Sequence, residues 1–196
     1  MTTPIKLNLK IIQGSTFGQV LRWETGNKIY KTITSITNSA PVTIYATAHG
    51  IPVGWRTRVT NVGGMKEINC TTNQYYLVTG ADSDSITLNA VNSLGYSTYT
   101  TGGVLEYNEP VDLTDYTARM QIRSKLDDVA VILELTTENG GIVIDNTTKT
   151  IQIVISAEAT AAFTFTSAVY SLELVTATTV IPFAGGTVGL VKEVTR

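Results

Sequence analysis

The sequence predicts an all-β protein: a β-sandwich, discontinuous in sequence, with an inserted small β-barrel. Three observations predict it. First, Ile5, Leu7, Leu9 and Ile11 alternate with Lys6, Asn8 and Lys10. The same period of two returns at Tyr116, Ala118, Met120 and Ile122 against Thr117, Arg119, Gln121 and Arg123, so each stretch has one apolar face. Second, the block between them, residues 34–105, is rich in Gly, Thr, Asn and Tyr and has short strands and turns of its own. Third, only 15% of residues are charged, against about 25% in ordinary soluble domains, while 33 are threonine. Threonine suits a pleated surface through its branched Cβ and keeps an exposed face wet without charge.

In chain order, Ile5–Ile11 reads as a strand, Gly14-Ser15 as a turn, and Phe17, Leu21 and Trp23 as one face of a second strand. Thr25-Gly26-Asn27 is a turn signal, and Lys28–Ile33 continues as a third strand. In the middle block the strands are Val42–Thr47, Arg56–Val62, Tyr75–Thr79 and Ser85–Leu88. They are separated by Gly- and Pro-rich segments, a spacing that fits a small barrel. The outer module then resumes with strands at Tyr116–Arg123, Ala130–Thr136, Ile142–Ile144, Thr150–Ile155, Ala168–Val175 and Thr187–Val194. Ser156–Phe163 is the single helix-like stretch, with Ser156 as N-cap and Glu158 near the positive end of the dipole. These readings divide the chain into a sandwich of residues 1–33 plus 106–196 and an insert of residues 34–105.

The expected sandwich core is Leu7, Leu9, Leu21, Trp23, Tyr116, Met120, Ile122, Leu133, Leu135, Ile144, Ile151, Ile153, Tyr170, Leu172, Leu174, Val188 and Leu190. With so many short strands, an uncovered edge is a template for pairing with another chain.

Composition narrows the function. Fourteen basic residues against sixteen acidic ones give a net charge of -2, with the basic residues scattered singly. No basic stripe faces a nucleic acid, no polybasic segment faces a membrane, and no apolar run approaches the ~20 residues of a bilayer span. Met1-Thr2-Thr3-Pro4 lacks the layout of a secretory leader, so folding in a cytosol is expected. Cys70 stands alone, which leaves stability to packing and sheet hydrogen bonds.

No constellation carries recognisable chemistry, and the expectation is a protein without catalytic residues, metal or cofactor. His49 is the only histidine and sits in a Gly/Pro loop. A general base or zinc ligand needs partners, so a turn or capping role is expected. Cys70 has no base at a telling spacing and reads as small filler. Asp82-Ser83-Asp84 and Asp112 with Asp115 read as turn carboxylates, since the closing glutamate of a calcium loop is missing. Gly63-Gly64, Gly102-Gly103, Gly140-Gly141 and Gly185-Gly186 lack a phosphate-loop context and read as hairpin glycines. Trp55, Tyr75, Tyr76, Tyr96 and Tyr99 either fill the insert or form a contact face. Trp55, Tyr96 and Tyr99 are the candidates for contact with a partner or glycan, and Asp127-Asp128 marks an exposed turn tip.

Several of these segments occur together elsewhere. Val111-Asp112-Leu113-Thr114-Asp115-Tyr116-Thr117-Ala118-Arg119-Met120-Gln121-Ile122-Arg123 is followed by Leu135-Thr136-Thr137-Glu138-Asn139-Gly140-Gly141-Ile142, by Ile155–Ala161, by Tyr170-Ser171-Leu172-Glu173-Leu174-Val175 and by Lys192-Glu193-Val194-Thr195-Arg196. The set resembles the immunoglobulin-like N-terminal module of tailed-bacteriophage baseplate upper proteins and its free-standing relatives among tail, collar and head accessory proteins. It covers about half the chain, with the motifs in order. In the insert, Ala46-Thr47-Ala48-His49-Gly50, Val62-Gly63-Gly64-Met65 and Asn92–Gly103 are similar to the small β-barrel of the first-catalytic-cysteine half-domain of ubiquitin-activating enzymes. That barrel is not the catalytic part of those enzymes, so Cys70 inherits no role.

The resemblance implies assembly. The expectation is a non-enzymatic virion component, assembled in the bacterial host's cytoplasm, that acts as adaptor or decoration in the tail, baseplate or collar. Its implied partners are other virion proteins, further copies of itself in a symmetric array, and a tail fibre or host surface glycan, with no nucleic acid and no membrane. A head-decoration protein with the same fold and a carbohydrate-binding module are the alternatives. The chain stops directly after the sandwich, without a long fibre or coiled coil, so receptor binding by this chain alone is not expected.

Overall fold

In the computed structural model, which describes residues 4–193, the chain is all-β. Val194 of the expected last strand, Thr195-Arg196 of the last motif and Met1–Thr3 lie outside the described residues. The strands are β1 (Ile5–Lys6), β2 (Leu9–Ile12), β3 (Phe17–Arg22), β4 (Glu24–Thr32), β5 (Ser35–Ile36), β6 (Val42–Tyr45), β7 (Arg56–Gly63), β8 (Tyr76–Leu77), β9 (Gly80–Ala81), β10 (Ser85–Leu88) and β11 (Thr101–Pro110). They continue with β12 (Thr117–Arg123), β13 (Leu133–Thr136), β14 (Ile142–Asp145), β15 (Thr150–Ile155), β16 (Ser167–Val175) and β17 (Val180–Val191), with helix α1 (Ala157–Ala161) between β15 and β16. The chain divides into two units, one made of residues up to Arg22 and from Asp112 on, the other of Trp23–Val111.

The first unit is a two-sheet sandwich. One sheet runs β1-β17-β16-β12-β13 with β2 also paired to β17, and the other runs β14-β15-β3. Its faces follow the period of two. Ala118, Met120 and Ile122 of β12, Ile151, Ile153 and Ile155 of β15, and Leu172 and Leu174 of β16 are buried, while Thr117, Arg119 and Gln152 point outward. Both β1 and β2 pair parallel to β17 (Ile5 opposite Ala184, Leu9 opposite Val188), whereas β3 pairs antiparallel to β15. The N-terminal stretch therefore serves both sheets. It crosses between them at Gln13–Thr16, where Gly14 has φ +76. Gln13 Nε2 donates to the Phe163 carbonyl at 2.8 Å and the Thr160 hydroxyl to the Ser15 carbonyl at 2.8 Å. Ser156 caps α1 by accepting from the Ala159 N–H at 3.1 Å.

Of the expected core, Leu9, Met120, Ile122, Leu135, Ile151, Ile153, Tyr170, Leu172, Leu174, Val188 and Leu190 are buried, and Leu7, Leu21, Tyr116, Leu133 and Ile144 are half-buried, whereas Trp23, expected there, belongs to the second unit. Ile11, Ile142, Ile155, Phe163 and Phe183 join that interior. The expected strand Ala130–Thr136 begins only at Leu133, because residues 124–132 form a turn-rich loop. Gly140-Gly141 does not close a hairpin, since β13 and β14 belong to different sheets. Gly185-Gly186 is likewise no turn but part of β17, where a Cβ at Gly186 would lie 2.4 Å from the Leu7 carbonyl oxygen. Close passage of the N-terminal stretch demands glycine there.

The second unit has two four-stranded sheets, β5-β6-β10-β9 and β4-β11-β7-β8. Where the sequence predicts one small barrel, the backbone hydrogen bonds thus form two sheets around a shared core of Ile33, Val42, Ile44, Trp55, Val59, Met65, Ile86, Leu88, Leu105 and Tyr107, among others. The chain passes from one sheet to the other within two residues: the Ile33 N–H donates to Gly103 and the Thr34 N–H to Tyr45. The unit ends are clasped by the Val111 N–H donating to the Trp23 carbonyl at 3.0 Å. The division falls at 22/23 and 111/112, outside the 33/34 and 105/106 read from sequence, because β4 and β11 pair along Thr32/Val104 to Glu24/Pro110.

Gly64 has φ +78, and a Cβ there would meet the Thr98 carbonyl oxygen at 2.2 Å. Gly64→Ala is expected to destabilise the second unit by on the order of 3 kcal/mol, combining strain and clash. Gly26→Ala, with nothing within 4 Å, is expected to be close to neutral. Urea unfolding of the two variants checks both.

Candidate functional site

The residues with chemical potential are each occupied by the fold. His49 is 1% exposed. Its Nδ1 accepts from the Ile51 N–H at 2.9 Å, so that nitrogen carries the lone pair and Nε2 the hydrogen, donated to the Ser85 carbonyl at 3.0 Å. The loop that places it has Ala48 at φ +46 and Gly50 at φ +69, and the Tyr107 hydroxyl donates to the His49 carbonyl. Both ring nitrogens are consumed by backbone, the turn role read from sequence.

Asp82 closes the facing turn. Its carboxylate accepts from the Asp84 N–H at 2.8 Å, the Ser85 N–H at 2.7 Å and the Ser85 hydroxyl at 2.9 Å, while Asp84 accepts from the Ala48 N–H at 2.9 Å. The Asp84 backbone donor, then the Ser85 hydroxyl and N–H, hold the Asp82 carboxyl below its ordinary pKa. In the first unit Asp112 Oδ1 accepts from Asn146 Nδ2 at 2.8 Å, the Thr114 hydroxyl at 3.0 Å and Lys149 Nζ at 3.2 Å. These donors, Asn146 foremost, hold the Asp112 carboxyl far below the usual carboxylate range. Asp115, at φ +61, is part of the same turn. Cys70 is half-buried, its Sγ accepts from the Val59 N–H at 3.3 Å, and burial pushes its thiol pKa up. An activated nucleophile needs the opposite shift. Among the described residues no three His, Cys, Asp or Glu side chains converge as metal ligands.

The aromatic candidates separate. Trp55, read as a contact residue, is 2% exposed, and its Nε1 donates to the Asn108 carbonyl at 2.9 Å. It is a core anchor because the largest side chain fills the space that two short-stranded sheets leave between them. Tyr96 and Tyr99 are half-buried against the same core, and the Tyr99 hydroxyl donates to the Gly102 carbonyl at 3.0 Å. The structure does not bring the three together as one exposed face.

What the surface does offer lies elsewhere. On the outer face of β4-β11-β7, Tyr30, Glu106 and Arg58 are cross-strand neighbours, with Tyr30 62% exposed and Glu106 between Lys28 at 3.4 Å and Arg58 at 3.5 Å. The alternation of Ile29 inward and Tyr30 outward was the available sequence signal. On the sandwich, Arg119, Gln121, Glu134, Ser171 and Glu173 line a polar recess of 220 Å³ on the outer sheet face, its walls already paired as Arg119 with Glu173 at 2.7 Å and Gln121 with Glu134 at 2.7 Å. Beside it, loop 124–132 presents Leu126 and Val129 at 83% and 91% exposure. Its Asp127-Asp128 tip was expected at the surface, but the loop's apolar character was not singled out. The described surface thus offers exposed apolar side chains beside polar ones that are largely paired with one another. No protein-family model matches the chain, and no curated protein matches it.

His49→Ala leaves the Ile51 N–H without its partner in a buried setting, while the Ser85 carbonyl keeps the Asp82 N–H at 3.0 Å; with the cavity left behind it is expected to destabilise the second unit by on the order of 2 kcal/mol, read by thermal unfolding. For Asp112 the folded pKa is depressed, so its contribution is fully present above the unfolded value of about 3.9 and is lost as pH falls through the folded one. The stability gap between wild type and Asp112→Asn is therefore expected to be constant near neutrality and to close below about pH 4, as measured by denaturant titration across pH.

Proposed function

We propose that the chain is a non-enzymatic structural component of a tailed-bacteriophage particle, an adaptor or decoration of the tail, baseplate or collar. One observation carries the reading: four of the five segments that bear the phage-module resemblance are framework of the sandwich. Val111–Arg123 leads into and forms β12, Leu135–Ile142 is the crossing from β13 to β14, Ile155–Ala161 is the strand end and capped helix, and Tyr170–Val175 lies in β16. A resemblance spread over such interlocking elements concerns a module as a whole, and the modules it points to work by docking.

The surface chemistry supports the same role. His49, Asp82 and Asp112 are spent on closing turns, which builds stiff scaffolds for contact. Sparse charge makes contacts between such surfaces tolerant of salt. The glycan-binding alternative loses its expected platform, since Trp55 is buried and Tyr99 is tied to backbone. Affinity would come from apolar contact with a polar rim.

Mass spectrometry of gradient-purified particles is the test. The chain is expected at a fixed ratio to the structural proteins, in multiples set by the ring or lattice it decorates. Particles devoid of it would overturn the proposal.

A further inference from the structure

One side chain guards the outer edge of β13, the last strand of its sheet. β12 and β13 are antiparallel with Met120 opposite Leu135, and the Thr137 N–H donates to the Ala118 carbonyl. By alternation, Leu135 turns its peptide groups to β12, whereas Glu134 and Thr136 turn theirs to the edge. Asn139 meets them there. Its Nδ2 donates to the Glu134 carbonyl at 3.1 Å, and its Oδ1 accepts from the Thr136 N–H at 2.9 Å. A side-chain amide thus stands where the peptide of a neighbouring strand would bond, and it closes the edge to strand addition.

The guard is an asparagine followed by glycine, the only such pair in the chain. In this pair the backbone nitrogen after the asparagine can approach the side-chain Cγ with no intervening side chain to obstruct it. The surroundings favour that attack. Both residues are exposed to water. Gly140 has φ +74, nothing lies within 4 Å of where its Cβ would be, and its N–H reaches the Thr137 carbonyl only at 3.4 Å. Asn139 Oδ1 accepts from the Gly141 N–H at 2.9 Å in addition to Thr136. Two backbone donors therefore face the oxygen on which negative charge develops when Cγ is attacked.

We propose that Asn139 is a site of spontaneous covalent modification and that its conversion to isoaspartate opens the edge of β13. The Gly140 nitrogen, losing its proton to hydroxide, bonds to Asn139 Cγ. The Cγ–Nδ2 bond breaks and Nδ2 leaves as ammonia, taking a proton from water, so that a five-membered succinimide remains. Water then adds to one of the two ring carbonyls and breaks its bond to the Gly140 nitrogen. Opening at Cγ leaves aspartate, which still accepts from Thr136 but presents an oxygen to the Glu134 carbonyl in place of a donor. Opening at the Asn139 backbone carbonyl leaves isoaspartate, whose main chain runs through Cγ and is one methylene longer. The amide is then gone from the edge, and both Glu134 and Thr136 face outward unpaired. The inference is independent of the particle reading.

Peptide mapping of the full chain, kept in warm and mildly alkaline buffer, tests the chemistry. Ammonia loss followed by the amide-to-acid mass gain is expected at Asn139 ahead of every other asparagine, with isoaspartate among the products. Gly140→Ala, whose methyl enters open space, is expected to slow the conversion. Hydrogen exchange of the purified isoaspartate form tests the consequence, with exchange at the Thr136 N–H expected to rise at least about tenfold while the amides of β15 stay protected. Asn139→Asp keeps the acceptor for Thr136 and is expected to leave that N–H slow. An Asn139 that stays intact while other asparagines convert, exchange at Thr136 that is unchanged in the isoaspartate form, or exchange that rises throughout the sandwich overturns the proposal.

Discussion

The passage of the N-terminal stretch from one sheet of the sandwich to the other is the constraint on which the rest of that unit depends. β1 and β2 supply an edge to β17, and β3 supplies an edge to β15. A few residues at Gln13–Thr16 make the crossing, held by Gln13 on the Phe163 carbonyl and by Thr160 on Ser15. Without that clasp each sheet would lose an outer strand and the buried faces of Ile11, Ile153 and Ile155 would lose their cover. The parallel pairing is also why Gly186 cannot carry a side chain and why the Tyr170 hydroxyl finds the Leu7 carbonyl at 2.8 Å.

Several buried or half-buried polar side chains of the second unit are spent on backbone. His49 bridges Ile51 and Ser85, Ser93 takes the Ser39 N–H at 2.9 Å, and Asn69 makes a reciprocal pair with Val62. In a chain of short strands joined by many turns, orphaned N–H and C=O groups are the chief cost, and small polar side chains remove it locally. The abundance of Thr and Asn read from the sequence serves in part to satisfy turns. Such wiring leaves apolar projections as the groups free to meet another surface.

The parts of the fold governed by local alternation were legible. β12, β15 and β16 present the faces their period of two implies, and Ser156 caps its helix as its position implied. What escaped depends on partners distant in sequence. Gly185-Gly186 looks like a turn until the Leu7 carbonyl is placed against it, and β4 looks like sandwich until β11 pairs with it. The run Ala130–Leu133 has strand composition, but Arg123 takes the Asp128 and Val129 carbonyls and delays the strand to Leu133. Trp55 carries no local mark that separates a core anchor from a contact residue, whereas the exposed Leu126 and Val129 sit in a segment that reads simply as a charged turn.

The hydrogen bond between Val111 and Trp23 has a consequence for the order in which the protein forms. Bringing Arg22 and Asp112 together through a long flexible tether costs entropy that grows with tether length. Once the middle unit has formed, its two ends are already neighbours and the effective tether shrinks to a few residues. The sandwich is a high-contact-order assembly that recruits strands from both sides of that tether, so its closing is fastest after the middle unit is complete. The interruption in the sandwich sequence thus behaves kinetically like a short connection.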